Sequence, residues 1–153
     1  DVIDSHDASI RPNQVVALKS HDLLTRDMRQ SILDVVEREL LTPYGLRTFS
    51  PRDARYIGRY EGSPAARDSA YHQGTVWPWL MGPYIDALLA VRGRSAATLS
   101  TARDALKPLL TLDAGGINTL PEVFDGDGPQ RPGGCISQAW SVAEVLRAWE
   151  AAN

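Results

Sequence analysis

The run from Val76 to Val91, V-W-P-W-L-M-G-P-Y-I-D-A-L-L-A-V, is apolar on almost every face of a helix and has Asp86 as its single charged residue. A surface helix keeps a polar face, so a segment of this kind has to be enclosed by other elements. It predicts one buried helix opening near Pro78 and kinked at Pro83, whose ring removes a backbone donor and collides with the preceding turn. The rest of the chain supplies neighbours for it. Thr25 is a good N-cap with Asp27 in the first turn. After it, Met28, Ile32, Val35, Val36 and Leu40 recur at helical spacing, and Arg29, Asp34, Glu37 and Arg38 fall on the other face. Ser95 caps a further helix running to Leu110, and Ser137 caps a last one built on Trp140, Val142, Val145, Leu146 and Trp149. Arg11 to Ser20 reads as a short helix beginning at Pro12, with His21-Asp22-Leu23-Leu24 as its connector.

Two long stretches separate these helices. Pro43 and Gly45 end the helix that starts at Thr25, and residues Thr42 to Gly74 then mix Pro, Gly, Arg, Asp and Tyr without a period of either kind. Asp113-Ala114-Gly115-Gly116 breaks the chain again, and Gly115 to Gly134 holds Pro121, Glu122, Phe124, Asp125 and Asp127 among several glycines. Ordered loops of such length in compact domains usually carry function or cover a site. No strand alternation is convincing, so the fold class read from the pattern is all-α, with short β-like pieces confined to the loops.

Charge narrows the partners. A net charge of -3, a pI near 5.6 and no run of Lys or Arg give no field to attract a phosphate backbone, which argues against nucleic acid. No window approaches the ~20 uninterrupted apolar residues of a membrane span, and Asp1-Val2-Ile3-Asp4 is unlike a signal peptide. Cys135 has no second cysteine to pair with, so neither a disulfide framework nor a cysteine-based zinc site can be built within the chain; a cytoplasmic compartment is expected. Nothing in the sequence calls for a metal or an organic cofactor.

Three polar clusters sit at helix starts or in the loops before them: Arg11-Pro12-Asn13-Gln14, Tyr71-His72-Gln73-Gly74-Thr75-Val76-Trp77 and Pro121-Glu122-Val123-Phe124-Asp125-Gly126-Asp127. Carbohydrate sites need flat aromatic faces for the sugar's C–H surface, amides and charges for its hydroxyls, and two carboxyl groups flanking the scissile bond. Trp77, Trp79, His72, Gln73 and Glu122 meet that demand. Each also has a bland reading. Trp79, Trp140 and Trp149 fit core packing, His72 fits the satisfaction of buried backbone groups, and Glu122 and Asp125 fit a solvated turn. Arg11 and Arg47 fit a structural role on loop carbonyls or on the carboxylates of Asp53 and Asp68.

The ordered set of motifs is more specific. Ile10-Arg11-Pro12-Asn13-Gln14, Leu40-Leu41-Thr42-Pro43-Tyr44-Gly45-Leu46-Arg47-Thr48, Arg59-Tyr60-Glu61-Gly62, Ala70-Tyr71-His72-Gln73-Gly74-Thr75-Val76-Trp77-Pro78-Trp79, Glu122-Val123-Phe124-Asp125-Gly126-Asp127 and Gly134-Cys135-Ile136-Ser137-Gln138-Ala139-Trp140-Ser141-Val142-Ala143-Glu144 together resemble the C-terminal region of bacterial and archaeal glycogen debranching enzymes. The resemblance implies a glucoamylase-like (α/α)6 toroid with its active site in a funnel of loops. Residues 1–153 would form the C-terminal part of that single glycosidase domain, without its N-terminal half. It also implies amylo-α-1,6-glucosidase activity on glycogen, limit dextrin or maltooligosaccharide, with inversion at the anomeric carbon. Inversion uses a carboxylic acid and a basic carboxylate roughly 6.5–9.5 Å apart.

By the resemblance, Glu122 is the catalytic base. Tyr71, His72, Gln73 and Trp77 are expected to contribute to the sugar pocket, followed by Arg11, Asn13, Gln14 and Arg47. Gln138 and Trp140 either line the funnel or support the Glu122 loop, and Asp125 anchors that loop. The family's general acid belongs to a Trp-Met-Asp type motif that this sequence does not contain, so the chain by itself is expected to be inactive. Two other readings stand beside this one: a glucoamylase-like or trehalase-like glucosidase, and a non-catalytic glucan-binding or interaction module. A half toroid exposes apolar surface, from which self-association or association with the missing N-terminal half is expected.

Overall fold

The computed structural model describes residues 7–18, 24–113 and 117–153. In chain order the elements are α1 (Gln14–Ala17), α2 (Arg26–Glu39), β1 (Leu41–Thr42), β2 (Gly45–Arg47), α3 (Pro64–Ala70), β3 (Val76–Trp77), α4 (Met81–Arg92), α5 (Ala96–Leu110), β4 (Val123–Phe124), β5 (Pro132–Gly133) and α6 (Ala139–Ala151). The chain is largely helical, but an all-α class is not what forms. Five very short strands assemble an antiparallel sheet in the order β1-β2-β3-β4-β5. Four of them lie in or at the edge of the two long loops and β3 opens the apolar run, and at two or three residues each they are too brief to show alternation. The proposed connector His21-Asp22-Leu23 and the break at Ala114-Gly115-Gly116 lie outside the described residues.

The apolar run becomes three elements in succession. Val76 and Trp77 form the central strand, Pro78–Leu80 a 3-10 turn, and α4 begins only at Met81. Pro83 therefore falls in the first turn of α4, where the N–H it lacks would have had no intrahelical partner, and the expected mid-helix kink does not arise. As the composition requires, α4 is enclosed: Met81, Tyr84, Ile85, Ala87, Leu88 and Leu89 are buried, with α1, α2, α5 and α6 packed around it. Full burial of a side chain such as Ile85 or Leu88 contributes about 1.5–3 kcal/mol. Asp86, the one acid, meets the Arg147 guanidinium of α6 through two bonds of 3.0 Å.

Helix α2 is capped as expected, with Thr25 Oγ1 accepting the Met28 N–H. Its inward face is rotated from the expected one. Met28 is 50% exposed, whereas Arg29 is buried and Leu33, Val36 and Leu40 form the inner stripe. The Arg29 guanidinium donates to the carbonyls of Leu18 and Ala90, groups at or near the C-terminal ends of α1 and α4 that a helix leaves unpaired. Glu37 also turns inward and accepts from the Tyr84 hydroxyl at 3.1 Å and from Arg92 at 2.6 Å. Ser95 caps α5 as predicted. Helix α6 departs from its pattern in two ways. Its N-cap is Gln138, because Ser137 Oγ pairs instead with Thr119 Oγ1, and its buried line is Ser141, Val145 and Ala148 while Trp140 and Leu146 face outward. The loop from 42 to 74 also holds α3, opened by Ser63 and Pro64 and exposed except at Ala70; a helix with no apolar stripe carries no period to read.

The sheet does the positioning. Leu46 pairs with Trp77 and Arg47 with Val76; Val76 pairs in turn with Phe124, and Phe124 with Pro132. Three segments distant in sequence are thereby joined at the N-terminal end of α4, next to the start of α6. Gly45 permits the tightest of these approaches. It has φ +145, and a Cβ there would run into the Trp77 carbonyl. Among the described residues no helix is long and apolar enough to cross a membrane.

Two outcomes follow. Gly45→Ala should destabilise the fold by about 2–4 kcal/mol, strain at a positive φ adding to the collision, as measured by denaturant unfolding. Alkali should also destabilise it. Burial, reinforced by the Asp127 carboxylate, pushes the Tyr56 phenol up to about 12, and burial together with Glu37 raises Tyr84. The folded state then holds these protons more tightly than the unfolded chain, so stability is fully present below the unfolded tyrosine value of about 10 and declines as pH rises from there through 12. Tyr56→Phe should flatten that decline; an unchanged alkaline limb would show that Tyr56 titrates normally.

Candidate functional site

Beside the sheet lies an open cleft of about 640 Å³, lined by Arg11, Pro12, Asn13, Val16, Thr48, His72, Trp77, Trp79, Leu80 and Trp140. Its wall is a chain of rings. His72 stacks on Trp77 at 5.7 Å, Trp77 meets Trp140 edge-on at 5.9 Å, and Trp140 stacks on Trp79 at 5.5 Å. On the other side Tyr71 packs against the edge of Trp77 at 4.6 Å and tilts against Tyr60 at 5.8 Å. The rings have unequal access. Trp77 is 5% exposed, its indole N–H donating to the Tyr71 carbonyl, whereas Trp140 is 47% exposed. The core reading thus describes Trp77 and the partly buried Trp79 and Trp149, while Trp77, Trp79 and the exposed Trp140 also line the cleft.

Glu122 stands just before β4, next to this wall but outside the cleft's lining. Its Oε1 accepts from the Tyr71 hydroxyl at 2.5 Å and from Gln138 Nε2 at 3.3 Å, and its Oε2 accepts the Cys135 backbone N–H at 3.0 Å. All three donors are neutral, and among the described residues Glu122 makes no ion pair. Burial, with Glu122 as acceptor, pushes the Tyr71 phenol up, so that it stays a donor.

Other residues of the motifs build the frame. Arg11 donates to the carbonyls of His72 at 2.7 Å and Thr48 at 3.3 Å and to Gln73 Oε1 at 2.7 Å, and its guanidinium lies 4.1 Å over the Phe49 ring. That makes it a clamp on the turn carrying His72 as well as a wall of the cleft. Arg47 Nε donates to the Gly126 carbonyl at 3.0 Å. Gln14 donates to the Arg11 carbonyl at 2.9 Å and borders a separate hollow with Asp7.

Asp125 is 2% exposed and accepts from Arg59 at 3.1 Å, Arg131 at 2.6 Å and the Tyr60 N–H at 2.8 Å. Burial alone would raise its pKa; the Tyr60 N–H and the two guanidiniums outweigh that and hold it below the usual carboxylate range. Asp125 is therefore the anchor of its loop.

Of the residues singled out from the sequence, Arg11, Asn13, His72, Trp77 and Trp140 meet at the cleft, and Tyr71 and Gln138 meet at Glu122. Gln14, Gln73, Arg47 and Asp125 stand behind them. Sequence reasoning gave no role to Tyr60, Arg59, Thr48 or the Cys135 N–H; the Arg59-Tyr60-Glu61-Gly62 motif was the signal for the first two, and a backbone donor has none. No group of three or more His, Cys, Asp or Glu among the described residues is placed to hold a metal ion.

The chain is similar to known proteins. The glycogen debranching enzyme of Saccharomyces cerevisiae is 30% identical over 88 residues, a stretch covering 53% of this chain and 6% of that enzyme. The chain thus corresponds to a small part of that relative's length. A family model described as amylo-alpha-1,6-glucosidase matches residues 1–147, from ahead of the Arg11 clamp into α6. With that match running through almost its whole length, the chain belongs to the amylo-alpha-1,6-glucosidase family.

Proposed function

We propose that this chain is the base-carrying part of a glycogen-debranching α-1,6-glucosidase, working on glycogen and limit dextrin in the cytoplasm. The observation that carries the reading is the Glu122 carboxylate, held by three neutral donors beside an aromatic cleft. In the reaction Glu122 takes a proton from water as the water oxygen bonds to the anomeric carbon. The glycosidic C–O bond breaks with its electron pair going to the leaving oxygen, which is protonated by a carboxylic acid supplied from outside this chain. Attack from the face opposite the leaving group inverts the anomeric carbon. Trp140, Trp79 and His72 offer ring faces to the sugar, and Asn13 offers its amide. An exposed, unpaired Cys135 fits a reducing compartment.

The domain in this reading is part of a glucoamylase-like (α/α)6 toroid. Support comes from the surface of α5 and α6, where exposed Leu110 and Leu146 border a groove shared with Leu112, Leu120 and Val142. Such a face is suited to further helices of the toroid.

In the full-length protein, Glu122→Gln should lower glucose release from phosphorylase limit dextrin by about 10²–10⁴-fold with the fold intact; retained activity would remove Glu122 from the mechanism. A second reading, a glucan-binding module, is favoured by the exposure of Trp140 within the cleft. It predicts that this chain alone binds maltooligosaccharides, and that Trp140→Ala weakens binding about 2- to 10-fold. Trp77→Ala is the poorer probe, since Trp77 is core. No binding by calorimetry would dismiss the module. The toroid reading predicts that the isolated chain elutes as a dimer or larger species, and a compact monomer by light scattering would count against it.

A further inference from the structure

We propose that Tyr71 and Gln138 are positioning residues which commit Glu122 Oε1 to hydrogen bonding and leave Oε2 as the atom that takes the proton. The inference rests on the reading of Glu122 as base. A carboxylate has about four lone-pair sites, two on each oxygen. Both sites of Oε1 are filled, by the Tyr71 hydroxyl at 2.5 Å and Gln138 Nε2 at 3.3 Å, whereas among the described residues Oε2 accepts only the Cys135 N–H at 3.0 Å. One lone pair remains open, and it belongs to Oε2.

The arrangement is held rigidly. Tyr71 is wedged between Trp77 at 4.6 Å and His72 at 5.0 Å, and its carbonyl is fixed by the Trp77 indole N–H at 3.1 Å. Gln138 is the N-cap of α6, and its own N–H is bonded to the Leu120 carbonyl at 2.9 Å, two residues before Glu122. Oε2 also lies close to Gly134, at φ +69, where a Cβ would overlap it, so that any larger residue there would push the carboxylate aside. Turning the carboxylate therefore means breaking three bonds, one to Tyr71 and two to the stretch from Cys135 to Gln138 that leads into α6. A general base works only within hydrogen-bond reach of its proton, and small misplacements are costly.

The test uses the full-length protein and glucose release from phosphorylase limit dextrin, with kcat and KM separated for Tyr71→Phe, Gln138→Leu and Glu122→Gln. Tyr71→Phe should lower kcat about 10- to 100-fold, as loss of an orienting partner does, with KM nearly unchanged. Gln138→Leu should lower kcat less, its bond being the longer one. A purely structural role would lower thermal stability and leave kcat per folded molecule intact. Unchanged kcat in both variants, with Glu122→Gln inactive, overturns the positioning while sparing the base. A rise in KM at constant kcat also overturns it, making Tyr71 a substrate-binding residue. Activity kept by Glu122→Gln removes the base and the positioning together. Should Tyr71→Phe not fold, Gln138→Leu decides on the same outcomes.

Discussion

The pairing of Val76 and Trp77 with strands on both sides is the contact on which the site depends. Those two residues bond to Leu46 and Arg47 on one edge and to Phe124 on the other, and they continue through the Pro78 turn into the buried helix α4. Because α4 is fixed by packing on every side, its N-terminal end is a rigid point, and whatever β3 pairs with inherits that rigidity. The Arg47 loop and the Glu122 loop are separated by more than seventy residues of sequence. They are held in register by two residues of strand.

The polar framework extends this logic outward. A loop rich in glycine and proline has little side-chain surface to bury, so its shape has to come from hydrogen bonds to its backbone and from charge pairs. Arg11 closes one such loop through the His72 and Thr48 carbonyls, Arg47 closes another through Gly126, and Arg59 donates to Gly128 and Pro129 as well as to Asp125. A guanidinium suits the task because its donors fan out in one plane and reach several carbonyls at once.

What could be read from the sequence follows the length scale of each signal. Helices α2 and α5 announced themselves through Thr25 and Ser95, and the burial of α4 through its composition, because each signal spans several turns. The strands could not be seen, being two or three residues long and so too brief for alternation to repeat, and α3 has no apolar stripe. Where faces differ from the pattern, tertiary surroundings that hydropathy ignores decide which residue goes inside. Arg29 goes inside because two helix-end carbonyls await it, and small Ser141 sits where α6 is pressed against its neighbours. The displaced Trp140 is then free to join the cleft. At the site, Tyr71 and Glu122 stand out by their chemistry and Gln138 by the family resemblance, but their mutual bonds cross fifty-one and sixteen residues of separation, which no local pattern encodes.

The β4 hairpin also holds two acids in opposite circumstances. Glu122 and Asp125 flank the strand Val123–Phe124, and since side chains alternate along a strand they project to opposite faces. Asp125 is buried between two guanidiniums, so its charge is spent on holding the loop and its proton affinity is lowered. Glu122 is only half-buried and meets a phenol, an amide and a backbone N–H, none of which carries a charge. Neutral donors orient a carboxylate without cancelling it, and they leave its negative charge to act on a water or on a developing cation. Had the arginines faced Glu122, the same hairpin would carry its ion pairs there instead. The different surroundings of the two acids are thus set by which face of one two-residue strand the arginines occupy.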